Sequence, residues 1–181
     1  MRQPCPSARH RTSSTPPFAM TSLSAPSHPI HWLQHGGQRL GLIPGLGGSV
    51  AAWQRDAGQG LVDIWRPWAG AADLYTTASF PLVPWSNRIG QGGFSHDGTH
   101  HPMRPNRAGE PYPIHGDGWL QPWVIHQPRH DTLELHLESS RFDGNPYHYR
   151  ALQRFVLRDD GMDQLLEVTH LGPGNLPYGL G

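Results

Sequence analysis

The sequence has a single cysteine and no lysine at all. Cys5 has no partner within the chain, so an internal disulfide is excluded and nothing indicates an oxidising compartment. The 14 basic residues are therefore all arginines, and they balance 14 acidic residues to a net charge of zero. This neutral balance argues against electrostatic binding to nucleic acid or to an anionic membrane. No apolar run approaches the roughly 18 residues that a membrane-spanning helix requires.

Acidic residues are absent from the start of the chain, where the first is Asp56. Residues 1–29 are rich in proline, serine, threonine and arginine, so they have too little apolar surface to offset the entropy of ordering them. We expect them to be disordered, or to be a mis-annotated extension whose true start is Met20. A secretory signal is not predicted, because no apolar segment follows the N-terminal arginines. An organellar transit peptide has a similar composition, but we prefer the interpretation in which Met20 is the start and expect a cytoplasmic protein.

From Ile30 onwards, short apolar runs alternate with glycine and proline, which is typical of strands joined by tight turns. The predicted strands are His31–His35, Arg39–Ile43, Ser49–Arg55, Leu61–Pro67, Ile89–Phe94, Thr99–Met103, Tyr149–Arg158 and Met162–His170. One helical turn is predicted near Ala69–Leu74, and the segment Trp119–Ile125 precedes a loop that runs to Asp131. Strands at such short spacing predict an all-β sandwich or barrel.

The most regular alternation lies between residues 133 and 138. Leucines at positions 133, 135 and 137 alternate there with Glu134, His136 and Glu138. This period of two predicts an antiparallel strand with one buried face and one solvated face.

The segment from Phe80 to Trp123 is unlike the rest of the chain. It contains seven prolines, each of which removes a backbone donor and restricts φ, so a long helix is excluded. We expect loops and short strands here, the kind of segment that places polar groups on a rigid scaffold.

Two motifs in this segment resemble a known family. They are Pro84-Trp85-Ser86-Asn87-Arg88-Ile89 and His115-Gly116-x-Gly118-Trp119, with a turn at Phe94–Gly98 between them. The pattern is similar to the N-terminal part of the aldose 1-epimerase (galactose mutarotase-like) family and covers roughly Ile30 to Gly181. The resemblance implies an antiparallel β-sandwich over residues 30–181 that is incomplete at its C-terminus.

The resemblance also implies which residues bind substrate. It places Asn87, Arg88 and His115 in the site, where they hydrogen-bond an aldose. An arginine fork can donate to neighbouring hydroxyls, and an imidazole can donate or accept. Each residue has an alternative interpretation from its chemistry alone: Arg88 could pair with a carboxylate at a strand end, and His115 could be an ordinary turn histidine.

Aromatic residues flank these motifs. Trp85 and Trp119, and with less reason Trp123, could stack on the apolar face of a sugar, although tryptophan more commonly packs in a core.

Histidines are clustered around the predicted turn. His96, His100 and His101 lie beside Asp97, but neighbouring residues of an extended strand point to opposite faces and the spacing matches no metal signature. We interpret them, like His126 and His130, as solvated side chains and predict no metal site.

The reaction implied by the resemblance interconverts the α and β anomers of a hexose. It needs an acid and a base placed about the sugar ring and no cofactor. The family's acid is a histidine and its base a glutamate, and the resemblance places both beyond residue 181. We assign neither role to Glu110, Glu134, Glu138 or Glu167.

We therefore expect an incomplete chain, either truncated, frameshifted or one piece of a split protein, that is inactive or weakly stable alone. Open strand edges would make self-association feasible.

Other functions remain open from the sequence. One is a non-catalytic carbohydrate-binding or sugar-sensing remnant. A second is a relative acting on a hexose phosphate, for which Arg104 or Arg107 could supply positive charge. A third is a His-rich metalloprotein of jelly-roll type. In the leading interpretation the partner is a small aldose, without nucleic acid or membrane.

Overall fold

A computed structural model describes residues 28–181. The prediction of disorder for residues 1–29 therefore falls almost entirely outside the described residues. The described chain consists of ten strands and three single-turn 3₁₀ helices. The strands are β1 (His31–His35), β2 (Gln38–Ile43), β3 (Ser49–Asp56), β4 (Leu61–Trp65), β5 (Gly93–His96), β6 (Thr99–Pro102), β7 (Val124–Arg129), β8 (Thr132–Ser140), β9 (His148–Leu157) and β10 (Met162–His170). The 3₁₀ helices are Leu74–Thr76, Gly118–Leu120 and Phe142–Gly144.

The strands form two four-stranded sheets and one small hairpin. The first sheet has the order β1-β2-β3-β4 and the second has the order β10-β9-β8-β7, while β5 and β6 pair with each other. Every pairing between named strands is antiparallel. The prediction of an all-β, antiparallel sandwich is confirmed.

The two large sheets share one core. Leu33 of β1 and Leu40 of β2 are completely buried, as are Leu135 of β8 and Phe155 of β9, and all four belong to the same apolar cluster. In β8 the leucines at 133, 135 and 137 are buried while Glu138 is exposed, as the alternation predicts. The inward faces of both sheets therefore remove their apolar side chains from water together.

The predicted helical turn lies further along the chain than expected. A 3₁₀ turn forms at Leu74–Thr76, where the Asp73 carboxylate accepts a hydrogen bond from the backbone N–H of Tyr75. This cap sets the start of the turn.

The small hairpin also differs from its prediction. Asp97 and Gly98 alone form the turn, with φ of 46° and 74°, so the strands extend to His96 and Thr99. Two consecutive residues with positive φ make the tight turn that matches strand twist. Residues 89–92 are not a strand, since β5 begins only at Gly93.

The segment around Trp119 is the third difference. Gly118–Leu120 forms a 3₁₀ turn, and the following strand begins at Val124 and continues to Arg129, where a loop was predicted. The long connection between β4 and β7, with its hairpin, thus contains both sequence motifs.

The outer strands expose apolar side chains. Val124 of β7 is 61% exposed, and Leu61, Val62 and Ile64 of β4 are also exposed. Within residues 28–181, no helix has the length and apolar character needed to cross a membrane.

Candidate functional site

The two sequence motifs lie side by side in the structure. The backbone N–H groups of Asp117 and Gly118 both donate to the carbonyl of Val83, at 3.0 and 3.1 Å. Further along, the N–H of Ile89 donates to the carbonyl of Pro113 at 3.1 Å. These bonds join two loops that are distant in sequence, so their side chains reach a common surface.

Asn87 and His115 hold each other at the centre of this junction. The N–H of His115 donates to the carbonyl of Asn87 at 2.9 Å, and the N–H of Asn87 donates to Nδ1 of the His115 ring at 3.2 Å. Both residues have positive φ, 61° and 63°, a conformation uncommon outside glycine that tends to occur at functional sites. Because Nδ1 accepts, the neutral ring carries its proton on Nε2.

The protonation of His115 is set by its surroundings. Burial lowers its pKa, and the positive charges of Arg88 and Arg107 lower the pKa further, while the carboxylate of Glu110 opposes them. The ring is therefore neutral at neutral pH and offers Nε2–H as a donor. Among the described residues, Nε2 has no hydrogen-bond partner.

Arg88 forms a bidentate ion pair with Glu110. Its Nε donates to one carboxylate oxygen at 2.9 Å and its Nη2 to the other at 3.0 Å. The alternative in which Arg88 pairs with a carboxylate is thus realised. It does not exclude contact with a ligand, because Nη1 makes no hydrogen bond within residues 28–181 and the side chain is 46% exposed.

An asparagine fixes the loop segment on either side of His115. The Asn106 amide donates to the carbonyls of Ile114 and Gly116, at 2.9 and 2.7 Å, and accepts from the N–H of Ile114 at 2.8 Å. All three bonds are to backbone atoms that flank His115. The loop before the motif therefore holds it in place through a single side chain.

The two tryptophans with a predicted stacking role have different environments. Trp85 is only 6% exposed and packs against Tyr147 with ring centroids 5.5 Å apart. Trp119 is partly exposed, and its indole N–H donates to the carbonyl of Gly116 at 3.0 Å. Of the two, Trp119 has an accessible ring and Trp85 is a core residue.

Trp119 belongs to an aromatic wall beside His115. Its ring lies 5.8 Å from that of Tyr75 and 6.5 Å from that of Phe80, and Phe80 lies 6.3 Å from the His115 ring. Arg107 lies over the face of Tyr75 at 3.7 Å, a cation–π contact. The donors of the site thus border apolar aromatic faces, which suits a ligand with both polar and apolar sides.

Asp117 connects this surface to the second sheet. The residue is 2% exposed, and its carboxylate accepts hydrogen bonds from Ser139 Oγ at 2.5 Å, Gln121 Nε2 at 2.6 Å and Asn145 Nδ2 at 3.3 Å. Burial nevertheless raises the pKa of Asp117 from its usual 3.8 to about 6. The desolvation of the charged form thus outweighs its hydrogen bonds.

This buried carboxyl predicts a pH-dependent stability. Because the folded chain binds the proton more tightly than the unfolded chain, the contribution is complete below about pH 3.8 and is lost as the pH rises through about 6. We expect the free energy of unfolding of the wild type, relative to Asp117→Asn, to rise by about 2 kcal/mol between pH 7.5 and pH 4.5. Urea denaturation of both proteins across this range measures the difference. Parallel stability curves for the two proteins would contradict the assignment.

The other histidines do not converge with these residues. His96 pairs with Asp97 at 3.4 Å, His100 contacts Ser95, and the His101 ring lies 5.1 Å from Phe94. His126 lies against His136, with centroids 5.0 Å apart, and not against His130. The described part of the chain contains no group of three or more side chains arranged to hold a metal ion.

The structure thus brings Asn87, Arg88 and His115 together, and it adds residues that sequence reasoning did not assign. No sequence motif pointed to Glu110 or Asn106, which both lie in a proline-rich loop. Glu110 pairs with a residue 22 positions away, and Asn106 bonds backbone groups 8 and 10 positions away. Asp117 stood inside a motif but carried no predicted role. Chemically, the surface offers a guanidinium donor, a neutral imidazole donor and an aromatic wall.

Comparison with known proteins identifies relatives of this chain. A model of the aldose 1-epimerase family matches residues 30–181. The uncharacterized Escherichia coli K12 protein YphB is 32% identical over 152 residues, which cover 84% of this chain and 50% of YphB.

Solved structures show the same likeness. A crystal structure from Escherichia coli K12, provisionally named an aldose 1-epimerase, superposes with a TM-score of 0.75 at 33% identity, covering 85% of this chain and 50% of that one. A galactose mutarotase-like protein from Clostridium acetobutylicum gives a TM-score of 0.71 at 20% identity, covering 84% and 49%, and shares the fold. The chain spans about half the length of these relatives.

Proposed function

The chain belongs to the aldose 1-epimerase family, and from that premise we propose that it provides the sugar-binding part of a site that interconverts the α and β anomers of a hexose. Asn87, Arg88 and His115 are the residues proposed to bind the sugar. The observation that supports this most directly is the mutual hydrogen bonding of Asn87 and His115 beside Arg88. It leaves the Nε2–H of His115 without a partner among the described residues, and the pairing of Arg88 with Glu110 leaves Nη1 without one as well.

These donors suit a neutral sugar. Hydroxyl and ring oxygens accept hydrogen bonds from a guanidinium and from a neutral imidazole, and neither donor needs a charged ligand. The partly exposed Trp119 supplies an aromatic face near the donors on which the apolar side of a pyranose can stack. Binding requires no change in the hydrogen bonds that hold His115.

The proposed reaction is an acid–base ring opening. A base removes the proton of the C1 hydroxyl while an acid protonates the ring oxygen, giving the open-chain aldehyde, and closure on its other face gives the second anomer. No cofactor is required for these proton transfers. The resemblance places the acid and the base in the part of the family's sequence that this chain does not align with. We therefore propose a binding role for the residues described here.

Binding and turnover can be measured separately. We expect α-glucose or α-galactose to bind this chain, as shown by chemical-shift changes of the Arg88 and His115 side chains in NMR titration. We expect polarimetry of the same sugars to show mutarotation at the rate of buffer alone. Absence of hexose binding by the folded chain would overturn the proposal, and faster mutarotation would show that acid and base are already present.

A second candidate function is favoured by Arg107. Its guanidinium lies close enough to Glu110 and His115 to influence their pKa values, so it could bind the phosphate of a hexose phosphate. Arg104, the other candidate, faces Asp143 at 3.9 Å instead. Tighter binding of glucose 6-phosphate than of glucose, lost in Arg107→Ala, is the result that distinguishes this function. A third candidate function is a carbohydrate-binding or sugar-sensing module without turnover.

We propose a cytoplasmic protein, because the chain has a single cysteine and hence no internal disulfide. We also propose that the exposed apolar edge strand β4 allows self-association.

A further inference from the structure

We propose that Glu110 is a positioning residue of the sugar site, whose carboxylate holds the Arg88 guanidinium so that Nη1 is the nitrogen left for the sugar beside His115. This inference rests on the proposed function and deepens it. It assigns a role to a glutamate whose only sequence signal was its place in a proline-rich loop.

The geometry of the pair supports a fixed orientation. Two parallel hydrogen bonds, at 2.9 and 3.0 Å, join the planar guanidinium and the planar carboxylate, so rotation about the last side-chain bond of Arg88 would break both. The Glu110 side chain is 19% exposed and the Arg88 side chain is 46% exposed. The carboxylate is thus the more enclosed partner, and the arginine is held from its loop side.

The loop that carries Glu110 is itself constrained. The N–H of Glu110 donates to the carbonyl of Arg107 at 3.2 Å, and prolines at 111 and 113 restrict the backbone on the other side. The carbonyl of Pro113 in turn accepts from the N–H of Ile89, next to Arg88. Glu110 and Arg88 therefore lie on two loops that are hydrogen-bonded to each other.

The charges around His115 give Glu110 a second effect. Arg88 and Arg107 both act on the imidazole, and Glu110 is the group that opposes them. Removal of the carboxylate charge leaves two guanidiniums that repel each other and depress the pKa of His115 further. The ion pair therefore controls both donors of the site.

Stability alone does not explain this pair. Exposed ion pairs contribute little to folding, so loss of Glu110 is expected to leave the thermal midpoint almost unchanged. A positioning role predicts instead that the sugar site changes while the fold does not. These two expectations separate the proposal from a merely structural pair.

The test compares Glu110→Gln, Glu110→Asp and a control, Glu138→Gln, which breaks an exposed pair with Arg150 on the outer face of β8. Three quantities are measured by NMR and titration on the whole chain: exchange of the Arg88 Nε–H proton, the pH midpoint of His115, and the Kd for a hexose. In Glu110→Gln we expect faster exchange, a lower His115 midpoint and about 10-fold weaker hexose binding. Glu110→Asp keeps a carboxylate, so we expect each of the three changes to be smaller than in Glu110→Gln. Glu138→Gln is expected to leave all three quantities at their wild-type values.

The outcomes distinguish this proposal from the function on which it rests. If wild type and Glu110→Gln bind hexose equally well, the positioning role is overturned and the sugar site stands. If the wild type binds no hexose, the proposed function is overturned, and unchanged Nε–H exchange and His115 titration in Glu110→Gln would overturn the role of Glu110 as well. Loss of hexose binding in Glu110→Gln, with both NMR signals shifted, supports both.

Discussion

Gly116→Ala is expected to destabilise the fold by about 4 kcal/mol or more. Gly116 has a φ of 71°, and an added Cβ would overlap the carbonyl oxygen of Val83 and lie 2.6 Å from the backbone nitrogen of Pro84. The carbonyl cannot move freely, because it accepts hydrogen bonds from Asp117 and Gly118. Close approach of two backbones thus requires glycine at this position.

Gly92→Ala is the matched control for this prediction. Gly92 has the same φ of 71°, but no heavy atom lies within 4 Å of an added Cβ. It therefore incurs only the cost of the left-handed conformation, about 1 kcal/mol. Urea denaturation of the three proteins gives the comparison, and similar losses in both variants would show that the contact with Val83 is absent. Since Gly116 follows His115, we expect Gly116→Ala also to abolish hexose binding.

Arg88→Ala and His115→Ala are expected to weaken hexose binding, by about 10- to 100-fold for the arginine and about 10-fold for the histidine. The larger effect belongs to Arg88 because a hydrogen bond from a charged donor is stronger than one from a neutral ring. Calorimetric or NMR titration of the hexose into each variant measures the loss.

Two controls keep this result specific to the site. Arg150→Ala removes an exposed arginine from the outer face of β9, and His126→Ala removes a histidine of β7. Arg150 pairs with Glu138 and His126 packs against His136, both within the second sheet, so both variants are expected to bind hexose like the wild type. If both site variants retained wild-type affinity, Arg88 and His115 would not be the sugar-binding residues.

Much of the fold could be predicted from local patterns. The alternation at residues 133–138 identified β8 and its buried face, and the strand from Met162 to His170 has the predicted bounds. The three departures arose where backbone hydrogen bonding or tertiary packing decided local structure: the Asp73 cap, the two-residue turn at Asp97-Gly98, and the 3₁₀ turn at Gly118–Leu120.

The candidate site was predictable only in part. Asn87, Arg88 and His115 stand in recognisable motifs, but the hydrogen bonds between Asn87 and His115 cross 28 residues of sequence. Glu110 and Asn106 stand in no motif. The difference between Trp85 and Trp119 is likewise one of burial, which no residue type specifies.

By itself the sequence determined an all-β chain, the family to which it belongs and the residue types of its motifs, because strand alternation, turn glycines and motif order are properties of neighbouring residues. Only the tertiary structure decided which nitrogen of His115 is a donor, that Glu110 occupies two nitrogens of Arg88, and that Asp117 is buried with a raised pKa. These properties depend on desolvation and on hydrogen bonds between distant loops, and such interactions exist only once the loops have come together.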